Sequence, residues 1–302
     1  KILNAEMMLN AYYSTDLSSD NHDARLYRAI IRYTTPQSEI QAGLQKINFG
    51  PAQLLRALMW FDKVDPRDPL KLTDGVYALR YKYSFMDNSN IWLWGLYGNK
   101  DPKGFEQFQS SKNMPEFGGR LQMPVPAGEL AATIHTRQAD AGTFNYRENR
   151  FALDGRWDIG IGLWFESVLQ NTITDMLPYK WNKVVTLGGD YTFPLGNGIY
   201  FLAEHMLSDA SDKILTSNTS SQISALMLTY PLGVLDNLAV QQYYNWQDKS
   251  LYQYYQWQRT YDNFIINLGL FHYPENGQGM FSSSKNIPAA GYGLQLILVY
   301  NY

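Results

Sequence analysis

Charged side chains alternate with apolar ones along several segments of this sequence. In "RLYRAIIRYT", Arg28 and Arg32 share one side, while Ala29, Ile31 and Tyr33 share the other. Period-2 alternation of this kind places each set on one face of a β-strand. The same parity gives one charged face along the chain, and its candidates are Glu6, Arg28, Arg32, Arg80, Lys82, Arg120, Glu129, Arg137, Glu148, Arg150, Asp154, Arg156, Glu166, Asp190 and Glu204.

A water-facing wall of opposed cationic and acidic side chains can replace part of a solute's hydration and so filter what passes. The alternative is a wall of solvated or mutually paired charges that only holds the structure open. Because the two signs nearly balance, we expect no strong selectivity for anions or for cations. The last third offers neutral inward candidates, which suit uncharged polar solutes such as sugars or form a merely hydrophilic wall: Gln241, Tyr243, Asn245, Tyr252, Tyr254, Gln256, Asn263, Asn267 and Gln295.

Signatures of catalysis and of metal binding are weak. The four His show no HExxH pattern, and the chain has neither Gly-x-Ser-x-Gly nor a phosphate-binding glycine loop. His205 beside Glu204 or Asp209 could be a fragment of a hydrolase site, but it is interpreted as a chance pair. The acids at 20–23 and 208–212 could bind Ca²⁺, although solvated loop acids are the favoured interpretation. We therefore predict no enzyme, no cofactor and no metal site.

Composition narrows the partners. The net charge is −3 and charged residues make up 18% of 302 residues, so nothing favours a nucleic-acid partner. Cys is absent, which excludes disulfides and thiolate metal sites. The longest stretch without charge, 214–235, is rich in Ser, Thr and Asn and contains Pro231, so no transmembrane helix is predicted.

Sixteen strands can be placed between Pro-, Gly-, Asn- and Asp-rich breaks, and one domain over 1–302 is expected. Fourteen is the fallback count, since the alternation over 251–258 has no clearly apolar face. Short breaks such as 124–128 alternate with longer polar connections, such as 15–23, 49–74, 99–115 and 139–147. The predicted spans are 2–14, 24–34, 39–48, 75–85, 91–98, 116–124, 129–138, 149–157, 161–171, 183–193, 199–207, 221–230, 238–246, 251–258, 263–272 and 289–302.

An even number of antiparallel strands with short turns at one end and long loops at the other is typical of transmembrane β-barrels. Closure between the first and last strands would remove every unpaired edge, as hydrocarbon requires. Aromatic residues near strand ends, among them Tyr33, Phe117, Trp157 and Tyr191, favour a barrel over a soluble sandwich because they form interfacial girdles. The fold class predicted is an all-β, closed, antiparallel transmembrane barrel.

The longest connection, 49–74, predicts a short helix, since Gly50-Pro51 precedes "AQLLRALMWF". If this loop folds inward it narrows the lumen, and its charged residues would line a constriction. The alternative is an external cap or a subunit contact. The constriction candidates are Arg56, Asp62, Lys63, Asp65, Arg67 and Asp68.

The final strand carries a resemblance to a known class. Its alternate residues Tyr292, Leu294, Leu296, Leu298, Tyr300 and Tyr302 resemble the C-terminal insertion signal of Gram-negative outer-membrane porin-type barrels, and residues 43–70 resemble a loop region of porin-like proteins. The resemblance implies a bacterial outer-membrane location and passive passage of small polar solutes. It also implies contact with membrane lipid, lipopolysaccharide and the barrel-insertion machinery, with a homo-oligomer or larger membrane complex possible. Two alternatives remain open, which are a plugged or structural barrel that binds through its loops and a soluble carbohydrate-binding β-sandwich.

Overall fold

A computed structural model describes residues 2–16, 19–65, 68, 73–274 and 291–300, and the side chains of 2–7, 26 and 28 onward within those ranges. The described residues form sixteen strands in one antiparallel sheet, so the fallback count is not needed. The strands are β1 (Ile2–Asp16), β2 (Ser19–Thr34), β3 (Ser38–Gln45), β4 (Val76–Ser84), β5 (Asn90–Leu96), β6 (Glu116–Val125), β7 (Gly128–Asp140), β8 (Asn145–Asp158), β9 (Gly162–Ile173), β10 (Trp181–Phe193), β11 (Ile199–Ser211), β12 (Thr219–Pro231), β13 (Asp236–Asn245), β14 (Ser250–Thr260), β15 (Phe264–Tyr273) and β16 (Gly291–Tyr300).

Each strand pairs with its neighbours in chain order, from β1 through β16. The uncertain segment near 251–258 is β14, which pairs with β13 and β15 over most of its length. Within the described residues β1 is paired with β2 and β16 with β15. The ladder that would join β1 to β16 is not among these pairings, so closure of the barrel stays a prediction.

The sheet has its apolar face outward and its charged face inward, which is the reverse of a soluble protein. On β16 the alternate residues Tyr292, Leu294, Leu296, Leu298 and Tyr300 point outward and are 57–85% exposed. On β7 the outward Ile134 is exposed, while Thr133, His135 and Arg137 are buried on the inner face. Apolar side chains outside and charged ones inside are the arrangement of an outer-membrane barrel. Tyr302 lies outside the described residues.

Turns at one end of the strands are short throughout, as predicted: 35–37, 85–89, 126–127, 159–161, 194–198, 232–235 and 261–263. In the turn at 85–89 the hydroxyl and backbone N–H of Ser89 donate to Asp87 and lower the pKa of that carboxyl.

Connections at the other end are less uniform than predicted. The connections 46–75, 97–115 and 274–290 are long, but those at 17–18, 141–144 and 246–249 are as short as the turns opposite. The predicted long loop at 15–23 is wrong, because pairing continues to Asp16↔Ser19. The predicted loop at 139–147 is wrong for the same reason, since pairing continues to Asp140↔Asn145. Polar composition in these segments accompanies strand extension rather than a loop.

Two apolar clusters lie on the inner side of the sheet. The first joins residues of 47–61, including Phe49 and Leu58, to inward residues of β4, β5, β8 and β9. The second joins Ala52, Leu54 and Leu55 to inward residues of β9 and β11–β15. Among the described residues no helix is long and apolar enough to cross a membrane.

Candidate functional site

The connection between β3 and β4, which we call the inner loop (46–75), enters the barrel. Its residues Ile47, Leu58, Trp60 and Phe61 are no more than 3% exposed. The ring of Phe49 stacks on Trp94 of β5 with centroids 5.7 Å apart. The inner loop therefore packs its apolar side chains against the inner wall, and the prediction of inward folding is confirmed in its described part.

Residues 51–60 form bends and turns rather than the predicted helix. The physical reason is that several of their backbone N–H groups donate to carboxylates on the far wall instead of to carbonyls four residues back. The apolar spacing of Leu54, Leu55 and Leu58 follows the packing of these turns and not a helical face.

Glu204 on β11 holds the tip of the inner loop. One carboxylate oxygen accepts the N–H of Gln53 at 2.7 Å. The other accepts the N–H of Leu54 at 2.9 Å and that of Leu55 at 2.5 Å. The indole Nε1 of Trp164 donates to the first oxygen at 3.0 Å. A buried carboxylate with four donors is well satisfied, because charged acceptors make the strongest of these bonds.

Glu166 on β9 binds the residues on either side of this tip, Ala52 and Leu58, which we call the arms of the turn. Its carboxylate oxygens accept the N–H of Ala52 at 3.0 Å and that of Leu58 at 2.8 Å. Gly50 lies against this carboxylate with φ of +90°, and a Cβ there would stand 2.3 Å from Oε1. A residue with a side chain would therefore be excluded twice, by its backbone conformation and by the missing space.

Two charged residues of the inner loop, Arg56 and Asp62, pair with each other. Arg56 and Asp62 form an ion pair at 2.6 Å, and both side chains are buried. Arg56 also donates to the carbonyl of Phe49. The prediction that these two line a passage is wrong, because they brace the loop internally. Lys63, Asp65 and Asp68 are half-buried, and Arg67 lies outside the described residues.

The connection at 97–115 also reaches inward and carries Lys103 and Glu106. Lys103 Nζ lies 2.9 Å from Glu116 and 3.2 Å from Glu106. The same ammonium group donates to Ser110 at 2.8 Å. All of these charged groups are nearly inaccessible to solvent. Buried ion pairs therefore hold this second connection against β6.

Inward residues of β7 and β8 continue this ionic cluster. Arg137 donates to both oxygens of Glu148, at 2.9 and 3.0 Å. Arg150 contacts Glu148 at 2.5 Å and Glu106 at 3.0 Å. His135 completes the cluster with Nε2 3.1 Å from Glu116. Arg137 and Arg150 were predicted to line the lumen, but they lie beneath the 97–115 connection.

Arg120 and Asp154 form a bidentate ion pair on adjoining parts of the inner wall. The two distances are 2.6 and 2.8 Å, and Arg120 also donates to Thr133 at 2.9 Å. The guanidinium lies over the ring of Phe49, 5.4 Å from its centroid. This pair faces the inner loop, so it too is covered.

Most of the other predicted lumen residues are exposed or half-buried. Glu129 and Arg156 are exposed, and the Arg32 side chain is 37% exposed. Arg80 pairs with Glu39 at 2.7 Å, and the Arg80 and Lys82 charges both lie 5.1 Å from the Trp92 ring centroid. Asp190 accepts a hydrogen bond from Tyr200 at 2.8 Å. Glu6 is exposed, while Arg28 is buried and donates to the carbonyl of Thr73 in the inner loop.

The predicted neutral wall of the last third is an aromatic cluster instead. Tyr243, Tyr252 and Tyr254 are at most 2% exposed and pack with Phe271 and Tyr273. Asn263 lies in the turn at 261–263 and not on a strand. Alternation placed most of these residues on the inner face, but it could not show that their rings would pack together.

The remaining sequence candidates are dispersed. Glu204 points inward while His205 points outward, and Asp209 pairs with Lys183 at 2.6 Å. The acidic segment 20–23 has no described side chains. No group of three or more His, Asp or Glu side chains within the described part of the chain is placed to hold a metal ion.

Sequence reasoning did not single out Glu39, Lys103, Glu106 or Glu116. Glu39 and Glu116 stand at inward positions of β3 and β6, so the parity that identified Arg120 could have found them. Lys103 and Glu106 lie in a connection without periodicity, and nothing in the local sequence signals their position.

No protein-family model and no curated protein matches the sequence. The structure is similar to a solved structure described as OmpTdeltaL8, the loop L8 deletion mutant of OmpT, an outer membrane protein of Vibrio cholerae. The two share 11% sequence identity over 80% of each chain, with a TM-score of 0.49. The all-β sheet of sixteen antiparallel strands has the architecture of an outer-membrane β-barrel.

The prediction that the chain is not an enzyme is corrected at this point. It rested on missing signatures of other folds, and the absence of those signatures does not exclude catalysis on this fold. One barrel architecture can carry unrelated functions, including hydrolysis, on its loops and rim. The fold therefore provides no ground for excluding enzymatic activity, and that exclusion is withdrawn.

Proposed function

We propose that the protein resides in a bacterial outer membrane and is a passive channel of restricted bore for small hydrophilic solutes. The observation that carries the proposal is the inner loop, which crosses inside the barrel and is fixed to the far wall by Glu166 and Glu204. A sixteen-stranded barrel is wide enough to leave an aqueous passage, and an inward loop reduces its width.

Inward charged side chains near the short-turn end of the strands are exposed or half-buried, which supports an aqueous opening at that end. Arg32, Glu39 and Lys82 lie on one part of the wall, and Glu129 and Arg156 lie on another. A lumen that was dry at this end would leave such groups without solvation, at a cost of several kcal/mol per ion by order of magnitude. Both signs are present, so the expected solutes are small and polar without a strict requirement for charge.

A plugged barrel is the second candidate, and the apolar contacts of the inner loop favour it. The two clusters around Phe49, Leu55 and Leu58 reach inward residues from β4 to β15. If this packing closes the whole cross-section, the protein would act through its external connections, with lipid, lipopolysaccharide and the insertion machinery as its membrane partners.

Single-channel recording in planar bilayers separates these functions. The test variant replaces residues 51–61 by a Gly/Ser segment of equal length, which removes the apolar side chains and keeps the connection. We expect small conductance steps for the native protein and steps several-fold larger for the variant, because the constriction is gone. Asp175→Asn is the control, since Asp175 is exposed in the connection 174–180 and pairs with Lys180 there.

Three results would change the conclusion. A silent native protein with a conducting variant would establish the plugged barrel. Silence of both, with heat-shifted gel mobility confirming folded barrels, would reject a channel altogether. Equal conductance of both would mean that the inner loop does not set the bore.

A further inference from the structure

The inner wall between the inner loop and the short-turn end carries an excess of positive charge on β2–β4. Arg32, Arg80 and Lys82 point inward there, and we call these three residues the cationic patch. Glu39 lies among them and serves two of the cations, since Arg80 donates to it at 2.7 Å and Arg32 lies 3.8 Å away. Glu6, on the inner side of β1, is exposed and forms no ion pair within the described residues. Even with Glu6 included, the cations outnumber the carboxylates on this part of the wall.

Lys82 is the member of the patch that has no carboxylate partner among the described residues. Its Cα lies opposite that of Glu39 in the β3–β4 ladder, yet no ion pair joins these two described side chains. The Nζ atom lies instead 5.1 Å from the ring centroid of Trp92, which faces Lys82 on β5. An aromatic ring attracts the charge of an ammonium group but cannot accept all of its three hydrogen bonds. The Lys82 ammonium group therefore keeps donors for another acceptor.

The two guanidinium groups also keep donors. The Nε atoms of Arg32 and Arg80 are buried and have no hydrogen-bond partner among the described residues. The two side chains are 37% and 13% exposed, so both keep some access to the lumen. A guanidinium group has five N–H donors and can bind an oxyanion through two of them at once. Because buried donors without acceptors are unfavourable, an anion with several oxygens would stabilise this arrangement.

The patch reaches from the short-turn mouth of the barrel to the inner loop. Arg32 and Lys82 lie close to the ends of β2 and β4, where short turns begin. Arg80 lies opposite Trp94, on which the inner loop stacks Phe49. A cleft that has one sign of charge and low-dielectric walls raises the local concentration of counter-ions. Anions are therefore drawn to the part of the lumen that leads to the inner loop.

We propose that the cationic patch is a binding subsite for a small oxyanion with several charged oxygens, such as a dicarboxylate or a phosphate ester. The oxygens accept hydrogen bonds from Lys82 and from the two guanidinium groups, while Glu39 holds Arg80 in place. The negative charge of Glu39 also limits the affinity, and a passing solute must bind weakly enough to leave again. The role of this anion as a solute rests on the channel function proposed above, whereas its binding to the patch does not.

Equilibrium dialysis of the folded, detergent-extracted protein tests binding without requiring conduction. The probes are radiolabelled inorganic phosphate and succinate, at low ionic strength so that charges are little screened. We expect saturable binding of at least one probe, and the tighter one identifies the ligand as a phosphate or a carboxylate. Lys82→Gln should weaken binding about tenfold, because a charge-assisted hydrogen bond is lost. Lys82→Arg should retain it, because the charge and the donors remain.

Lys180→Gln is the matched control, because it removes the same charge from an exposed residue at the opposite end of the barrel. Its binding of phosphate and succinate should equal that of the native protein. Heat-shifted gel mobility shows that each variant is a folded barrel. Equal weakening by Lys82→Gln and Lys180→Gln would overturn the inference, as would a folded native protein that binds neither probe saturably.

Single-channel recording then connects the subsite with passage. The bound anion should reduce the chloride current of the native protein, and Lys82→Gln should require an anion concentration about tenfold higher for the same reduction. Saturable binding by a protein that stays silent in bilayers would support the subsite and reject the channel. Conduction without saturable anion binding would overturn the subsite and leave the channel standing.

Discussion

Replacing Glu204 by Gln should release the tip of the inner loop while the barrel stays folded. Each oxygen of this carboxylate accepts two N–H donors, from Gln53 and Trp164 on one side and from Leu54 and Leu55 on the other. An amide keeps one oxygen, so in either orientation two donors face an NH₂ group that cannot accept.

The size of the effect follows from those two lost bonds. Hydrogen bonds to charged groups contribute about 1.5–3 kcal/mol each, and part of the loss is offset because a buried charge is no longer desolvated. We expect the docked loop to lose about 2–4 kcal/mol, which is a shift of roughly 30- to 1,000-fold between docked and released forms. Glu166→Gln should do less, since each of its oxygens accepts only one N–H from the loop, that of Ala52 or Leu58.

Hydrogen exchange over residues 49–61 in detergent-extracted protein measures this shift. The protection factors of the loop amides should fall by the same factor as the docking equilibrium constant. They should fall further in Glu204→Gln than in Glu166→Gln. Trypsin cleavage after the buried Arg56 gives an independent readout. Glu129→Gln is the matched control, because it changes the same chemical group away from the loop.

Unchanged protection in Glu204→Gln, within about fivefold, would refute the reasoning. The inner loop would then be held by Leu54, Leu55 and Leu58 in their apolar clusters, and the carboxylate would be a minor contact. Reversed order of the two variants would mean that the arms of the turn, and not its tip, determine docking.

Two further outcomes concern the wall itself. Arg120→Ala should destabilise the barrel by about 3–5 kcal/mol in urea unfolding, because it leaves the buried Asp154 unpaired. Arg32→Ala, at a partly exposed position, should cost less than about 1 kcal/mol. Similar losses of unfolding free energy for both variants would show that Asp154 is hydrated. Leu296→Lys should lower the free energy of folding into lipid vesicles by about 2–4 kcal/mol, because that side chain faces the bilayer. The adjacent inward substitution Gln295→Lys should leave folding nearly as in the native protein. A larger loss for Gln295→Lys than for Leu296→Lys would reverse the assignment of the two faces.

The strand pattern could be predicted because alternation is a local property. Each strand must bury one face in lipid, so apolar residues recur every second position and the breaks between strands stand out. Tyr292, Leu294 and Leu296 show this in β16, and the inward parity of Arg120 and Arg137 follows from the same rule.

The path of the inner loop could not be predicted because its partners are distant in sequence. Gly50-Pro51 followed by leucines satisfies the local rules for a helix start. The backbone N–H groups of Ala52 and Leu55, however, donate to carboxylates on β9 and β11, which lie more than a hundred residues later in the sequence. Periodicity reports which face a residue occupies, and it contains no information on which chain segment later covers that face.

Charge balance inside the barrel now has a physical explanation. The cations Lys103, Arg137 and Arg150 share one buried cluster with the anions Glu106 and Glu148, and also with Glu116. Three positive and three negative groups cancel, which a solvent-poor region requires because an unpaired buried ion is strongly unfavourable. The overall balance of signs in the sequence is therefore partly a requirement of packing. Inferences about solute selectivity should rest on the exposed residues alone, since only their charges meet a passing solute.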